Sequence, residues 1–231
     1  PDFAKDDAEK AVAALVDEGS AIELFSAFGK NVYTALATVS GNAVGVVATR
    51  PEGLCRVCVD KAARLVRLCD AFSIPVVTVV NSEGFVPSAS EDEAGGIRAA
   101  ARLAGTYADA TTAKVALLVG KAVGPVYTAL ANADLRLAVT GCTVSALDPM
   151  AAARVLYKEE LEASDNLAAA TAAKAAQYTA NECSAQAAVA AGAADLAVDA
   201  AGARAALVNA LDILASKRAQ RLPKKHGNMA L

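Results

Sequence analysis

The 231 residues, 55% of them hydrophobic and carrying a net charge of −3, suffice to bury a substantial core and are read as a single soluble globular domain, with room for a helical appendage. The 22 basic and 25 acidic residues form no cluster able to track a phosphate backbone, and aromatics for base stacking are only 4%, so no nucleic acid partner is expected. Alanine, with 59 residues, is the largest part of the hydrophobic content, and no stretch reaches the roughly 18 uncharged apolar residues of a membrane-spanning helix, so no membrane span is expected either.

In chain order, Ala8, Val12, Leu15 and Val16 share one face of residues 6–18, which predicts an amphipathic helix ending near Gly19. Ala21 to Phe25 and Val32 to Val39 have period-2 character, and Ser40-Gly41-Asn42 is a tight turn into the apolar run Ala43 to Ala48, so a small β-meander follows. Cys58 to Phe72 returns to helical spacing through Ala62, Leu65, Val66 and Cys69. Ile74 to Val80 is a nearly unbroken apolar run, as in a strand buried on both faces, and it ends in a polar loop from Asn81 to Glu93.

A helix over about 94–110 and a second buried strand at Lys114 to Gly120 complete a β-α-β unit, so the sheet is at least partly parallel and the fold class is α/β. A short helix near Pro125 and a strand around Leu135 to Val139 come next. Helices near Pro149 to Tyr157, Glu159 to Thr179, Ala185 to Ala191 and Ala203 to Lys217 make the last third mainly helical. The alanine-rich stretch Ala168 to Ala176 is read as packed helix, because alanine is the best helix former, with a partner-binding face as the alternative. Residues 217–231 form a basic tail broken at Pro223.

Five cysteines, at positions 55, 58, 69, 142 and 183, cannot complete a disulfide framework, and a reducing compartment, the cytoplasm, is the simpler reading. Cys55-x-x-Cys58 suggests zinc or redox chemistry in isolation. No second pair follows at ligand spacing, however, and the only histidine, His226, lies in the tail, so no metal is expected. The same scarcity rules out a histidine base in the folded core, a Ser-His-Asp triad included. The start at Pro1, without initiator Met or signal peptide, suggests a processed or trimmed product.

Several strings carry a resemblance: Val44-Gly45-Val46-Val47-Ala48-Thr49-Arg50-Pro51, the run from Asp60-Lys61-Ala62-Ala63-Arg64 through Cys69-Asp70-Ala71-Phe72-Ser73-Ile74-Pro75, and Gly84-Phe85-Val86-Pro87. Ala108-Asp109-Ala110-Thr111 and Leu222-Pro223-Lys224-Lys225-His226-Gly227-Asn228 add to it. Together they resemble the C-terminal half of the carboxyltransferase subunits of propionyl-CoA and related acyl-CoA carboxylases and decarboxylases, over nearly the whole chain. The resemblance implies a crotonase-like domain over residues 1–231 on the carboxybiotin side of the cleft. Its cofactor is biotin on a biotin carboxyl carrier protein, its substrate an acyl-CoA, and its assembly a homo-oligomer with clefts between subunits. The CoA-binding carboxyltransferase half then comes from a missing segment, a separate chain, or nowhere.

Carboxyl transfer builds negative charge on the biotin ureido oxygen and on the thioester oxygen, so each needs preorganised donors such as amides at a helix start. No protein base is required, since departing biotin can take the α-proton. The resemblance places the oxyanion turn at Gly124, Pro125 and Val126, and a biotin site at Gly95, Gly96, Tyr127 and Thr128. Two departures matter. Proline, which has no N–H, stands where the family has its second glycine, and Thr128 replaces a frequent acid. Gly124-Pro125 is also simply a good helix start, and Gly95-Gly96 an ordinary loop-to-helix junction. Glu91, Asp92 and Glu93 are read as a solvated charge cluster, and Cys142 as a buried thiol. Three functions follow: the carboxybiotin half of a carboxyltransferase, a non-catalytic scaffold with a degenerate turn, or a free-standing crotonase-type hydratase or isomerase. The last is disfavoured because Tyr127 and Thr128 offer no acid or base pair.

Overall fold

Val76, Val80, Ala116 and Leu118 point to one face of a sheet and Val77, Val79, Val115 and Leu117 to the other, and all eight are buried. Successive strand side chains alternate in direction, so a strand apolar at every position must be covered on both sides. The computed structural model describes residues 2–219. The chain opens with a helix at Ala8–Ala13 (α1), then strands Ile22–Glu23 (β1), Val32–Val39 (β2) and Asn42–Thr49 (β3). Helix Arg56–Ala71 (α2), strand Val76–Ser82 (β4), helices Ala89–Glu93 (α3) and Gly96–Asp109 (α4), and strand Lys114–Val123 (β5) form the centre. Helix Gly124–Leu130 (α5) and strands Leu135–Val139 (β6) and Thr143–Ser145 (β7) follow. Helices Pro149–Leu156 (α6), Lys158–Glu162 (α7), Leu167–Glu182 (α8) and Ala185–Ala190 (α9), strand Leu196–Val198 (β8) and helix Ala203–Leu214 (α10) complete the described chain.

The eight strands form one sheet in the order β1-β2-β3-β4-β5-β6-β8, with β7 paired to the far end of β5. β1, β2 and β3 are antiparallel, β2 and β3 joined by the tight turn at Ser40-Gly41, and every pairing from β3 onward is parallel. One core lies between the sheet and α2, α4, α5 and α9. There Cys69 of α2 and Tyr107 of α4 are fully buried, and the Tyr107 hydroxyl hydrogen-bonds the Thr78 hydroxyl at 2.9 Å. Burial is the main reason that the Tyr107 phenol titrates well above its usual range. The second core lies under α1 and α10, with Leu15, Leu117 and Leu207 at its centre.

Several elements differ from their sequence-based bounds. The first helix stops at Ala13 because Val12 O accepts from both Leu15 and Val16, tightening the chain into a turn that delivers Asp17 to the β2–β3 turn. The first predicted strand shrinks to two residues ahead of Phe25, whose φ is 62°. The expected helix from Glu159 to Thr179 is broken in two: Asn166 caps α8 by accepting the Ala169 N–H at 3.1 Å, and polar Ser164-Asp165-Asn166 compete for the backbone that a continuous helix would use. Within the 81–93 loop, Ser88 caps the short α3. β7 and β8, three residues each, are too short to show a period. The final helix ends at Leu214, and the tail beyond residue 219 lies outside the described residues.

Candidate carboxyl-transfer pocket

The pocket is prepared where β4 ends. Its register with β5 shifts between Val80 and Ser82, and Asn81 fills the irregularity: its N–H donates to Thr49 Oγ1 at 2.7 Å, and its Oδ1 accepts the Lys121 N–H at 3.1 Å. β5 can therefore run on to Val123, flanked by β7 from Lys121↔Thr143 to Val123↔Ser145. There the strand becomes α5 without a loop. Val123 is still extended at φ −117°, Gly124 takes φ 61°, and the helix has begun. A left-handed φ is costly for a residue with a Cβ, so glycine suits this one-residue turn. Pro125 occupies the first turn, where its fixed φ favours the helix and its missing N–H breaks no internal bond.

Pro125 and Thr128, one helical turn apart, are exposed, whereas Val126 and Ala129, which follow each of them, are buried against the sheet. The exposed pair faces a cavity of about 680 Å³. Gly124, Pro125, Tyr127 and Thr128 line one side, Ala100, Ala101 and Ala104 of α4 another, and Ser145, Ala146, Tyr178 and Glu182 are among the remainder, with Phe85 at the edge. The Tyr127 hydroxyl donates to Ala193 O at 2.5 Å, which fixes its ring as wall, and Thr128 Oγ1 donates weakly to Gly124 O at 3.4 Å. The small side chains of α4 leave the space open.

The structure thus gathers four of the seven sequence-predicted site residues around one cavity. Val126 does not line this cavity, its side chain being core. Gly95 and Gly96 do not line this cavity. Gly95 has φ 90° at the corner between α3 and α4, and a Cβ on Gly96 would stand 2.9 Å from Glu91 O, so the close turn accounts for the pair. Gly96 borders a smaller cavity of about 80 Å³, which shares Phe85 and Ala100 with the larger one. Tyr178 and Glu182 were missed, because they lie on α8, whose approach to α5 has no signature in local sequence; Glu182 also falls beyond the end predicted for that helix.

Glu91 is more than a solvated charge: its carboxylate accepts the Arg56 N–H at 2.7 Å, capping α2 from outside. Cys142 is buried, as are Cys69 and Cys183, and burial pushes the Cys69 and Cys142 thiols up to about 11. Cys55 and Cys58 differ from the reduced reading, for they form a disulfide across the start of α2, with Cα atoms 5.1 Å apart. The N-cap geometry of Cys55, which brings residues i and i+3 together, is the reason.

A model of the carboxyl transferase domain matches residues 2–229. The methylmalonyl-CoA decarboxylase subunit alpha of Veillonella parvula is 33% identical over 97% of this chain and 44% of its own length. A protein of Bacillus subtilis named as a putative propionyl-CoA carboxylase beta chain is 35% identical over 97% of this chain and 46% of its own. The crystal structure of transcarboxylase 12S, a hexamer with methylmalonyl-coenzyme A and methylmalonic acid bound, superposes with a TM-score of 0.92 at 33% identity, covering all of this chain and 46% of that one. The chain therefore belongs to the carboxyl transferase domain family, and its α/β architecture is that family's crotonase-like fold. It spans a little under half the length of the relatives it matches.

Proposed function

We propose that this chain forms the carboxybiotin-side half of an acyl-CoA carboxyltransferase, as a single domain over residues 1–231, and that the α5 turn is its oxyanion site. The observation that carries the reading is the abrupt β5-to-α5 turn at the 680 Å³ cavity, with Gly124, Pro125, Tyr127 and Thr128 on one wall. A cavity of this size suits a small bicyclic group, and the first amides of an α-helix have no acceptor within the helix. When bound, biotin supplies the ureido nitrogen that carries the carboxyl group. The chain's part is to hold donors, at Gly124 and Val126, toward the place where negative charge develops. Tyr127, held by Ala193, and the alanine face of α4 position the group and exclude water.

Oligomeric assembly, a biotin carboxyl carrier protein and a CoA-binding half are proposed partners. Apolar residues on the helical third support an interface: Leu147, Met150, Val155 and Leu156 lie at or near α6 and are 40–69% exposed, and Leu167 opens α8 at 59%. The odd cysteine count, which leaves Cys69, Cys142 and Cys183 as thiols, supports the cytoplasm as the proposed compartment; among the described residues no helix is long and apolar enough to cross a membrane. The test is carboxyl transfer from methylmalonyl-CoA or malonyl-CoA by the whole protein, followed as decarboxylation with and without free biotin. Turnover that depends on biotin is expected. Its absence, with the CoA-binding half supplied, would leave the scaffold reading, which Pro125 favours.

A further inference from the structure

Cys55 and Cys58 stand outside the proposed chemistry, yet they are joined, and they sit at a structural junction. Cys55 is the N-cap of the 16-residue α2, its sulfur accepting the Cys58 N–H at 3.3 Å. Cys58 is buried at 1% exposure, whereas Cys55 is only partly covered. A partly exposed first cysteine at a helix start, paired with a buried second one, is the arrangement in which one sulfur can be attacked and the other leaves and returns. The remaining three cysteines are buried thiols.

The junction reaches the pocket. Leu54, next to the pair, donates its N–H to Gly84 O at 2.9 Å and accepts the Val86 N–H at 3.1 Å, forming a bridge that holds Phe85 between its two bonds. Phe85 borders both the large and the small cavity, and Glu91, which caps Arg56, lines the small one. The path from sulfur to cavity edge is therefore one residue of backbone and a pair of hydrogen bonds.

From this placement we propose that Cys55 and Cys58 are a reversible dithiol–disulfide switch that clamps the start of α2 and, through the Leu54 bridge, the Phe85 edge of the pocket. A dithiol reductant supplies the two electrons. Its thiolate attacks Cys55 Sγ, the S–S bond breaks, and Cys58 leaves as a thiolate that takes a proton. The reductant's second thiolate then attacks its own sulfur of the mixed disulfide, forming the reductant's disulfide and releasing Cys55 as a thiolate at the positive end of α2. A small-molecule disulfide reverses both steps.

The redox behaviour does not depend on the carboxyl-transfer reading, so the test uses no turnover. The whole protein is equilibrated in reduced and oxidised dithiothreitol mixtures, acid-quenched, unfolded, alkylated and mapped by peptide mass. Two thiols, both in the peptide holding Cys55 and Cys58, should appear and disappear together. Hydrogen exchange should show the Leu54 and Val86 amides opening on the order of tenfold faster in the reduced form, since even a short covalent loop restrains local opening. The Cys55→Ser variant keeps an N-cap oxygen and should show the faster exchange in either mixture. Both cysteines remaining thiols in excess oxidised reagent, exchange rates equal in the two states, or a Cys55→Ser variant that still responds to the mixture would each overturn the switch.

Discussion

Replacing Pro125 by alanine adds one N–H to the first turn of α5 without removing a packed side chain, because Pro125 is exposed at the cavity wall while its neighbours Gly124 and Val126 are buried. The new amide emerges where the helix has no internal acceptor for it. If the turn holds an oxyanion, one added donor is worth on the order of 10²–10³ in kcat, or about 3–4 kcal/mol. Because that charge develops in the transition state, KM should move little. The opposing effect is on stability. Losing proline frees the unfolded chain by about 0.4–1 kcal/mol, which lowers the melting temperature of a domain of this size by roughly 1–4 °C. The assay is biotin-dependent decarboxylation of methylmalonyl-CoA by the whole protein, with folding checked by circular dichroism. A kcat unchanged while the melting temperature falls only within that range would refute the oxyanion assignment of this turn.

Two further outcomes test the frame around the pocket. A Cβ at Gly120 would lie 2.1 Å from Asn81 Oδ1, so Gly120→Ala must displace the side chain that fills the β4–β5 irregularity. Overpacking of this kind costs about 1–3 kcal/mol, and a melting temperature lowered by roughly 2–12 °C is expected; no change would show that Asn81 is not needed there. Asp17 is held well below the usual carboxylate range, first by the Thr38 hydroxyl, then by the Gly41 N–H and Arg204, with Ser40 N–H adding to them. A carboxyl that is more acidic when folded stabilises the protein fully above its unfolded pKa, about 3.9, and loses that contribution as pH falls through the folded value. Urea midpoints of the parent and Asp17→Asn should therefore differ at pH 7 and converge as the pH is lowered below about 4; a constant difference would remove Asp17 from that role.

Much of the fold was legible because the relevant physics is local. β2 lies where period-2 patterning placed it and β6 where a strand was expected, and α2, read from helical spacing, and α4 fall within two residues or so of their expected bounds. Gly124-Pro125 marked a helix start because proline fixes its own φ near the helical value and glycine tolerates the left-handed turn before it. The α/β class followed from two apolar runs around a helix, since only a sheet covered on both faces hides such strands. What tertiary structure alone decided depends on groups far apart in sequence. The break between α7 and α8 turns on whether Asn166 spends its side chain on a cap, and alanine-rich flanks conceal that choice. β8 is a strand only because β6 offers it an edge. The cavity is lined in part by Tyr178 and Glu182, more than 50 residues from Pro125, and Gly95-Gly96 turned toward a corner instead, because the backbone of Glu91 leaves no room for a side chain there. A residue's conformational range is written in its own chemistry, whereas the company it keeps is settled only when the layers pack.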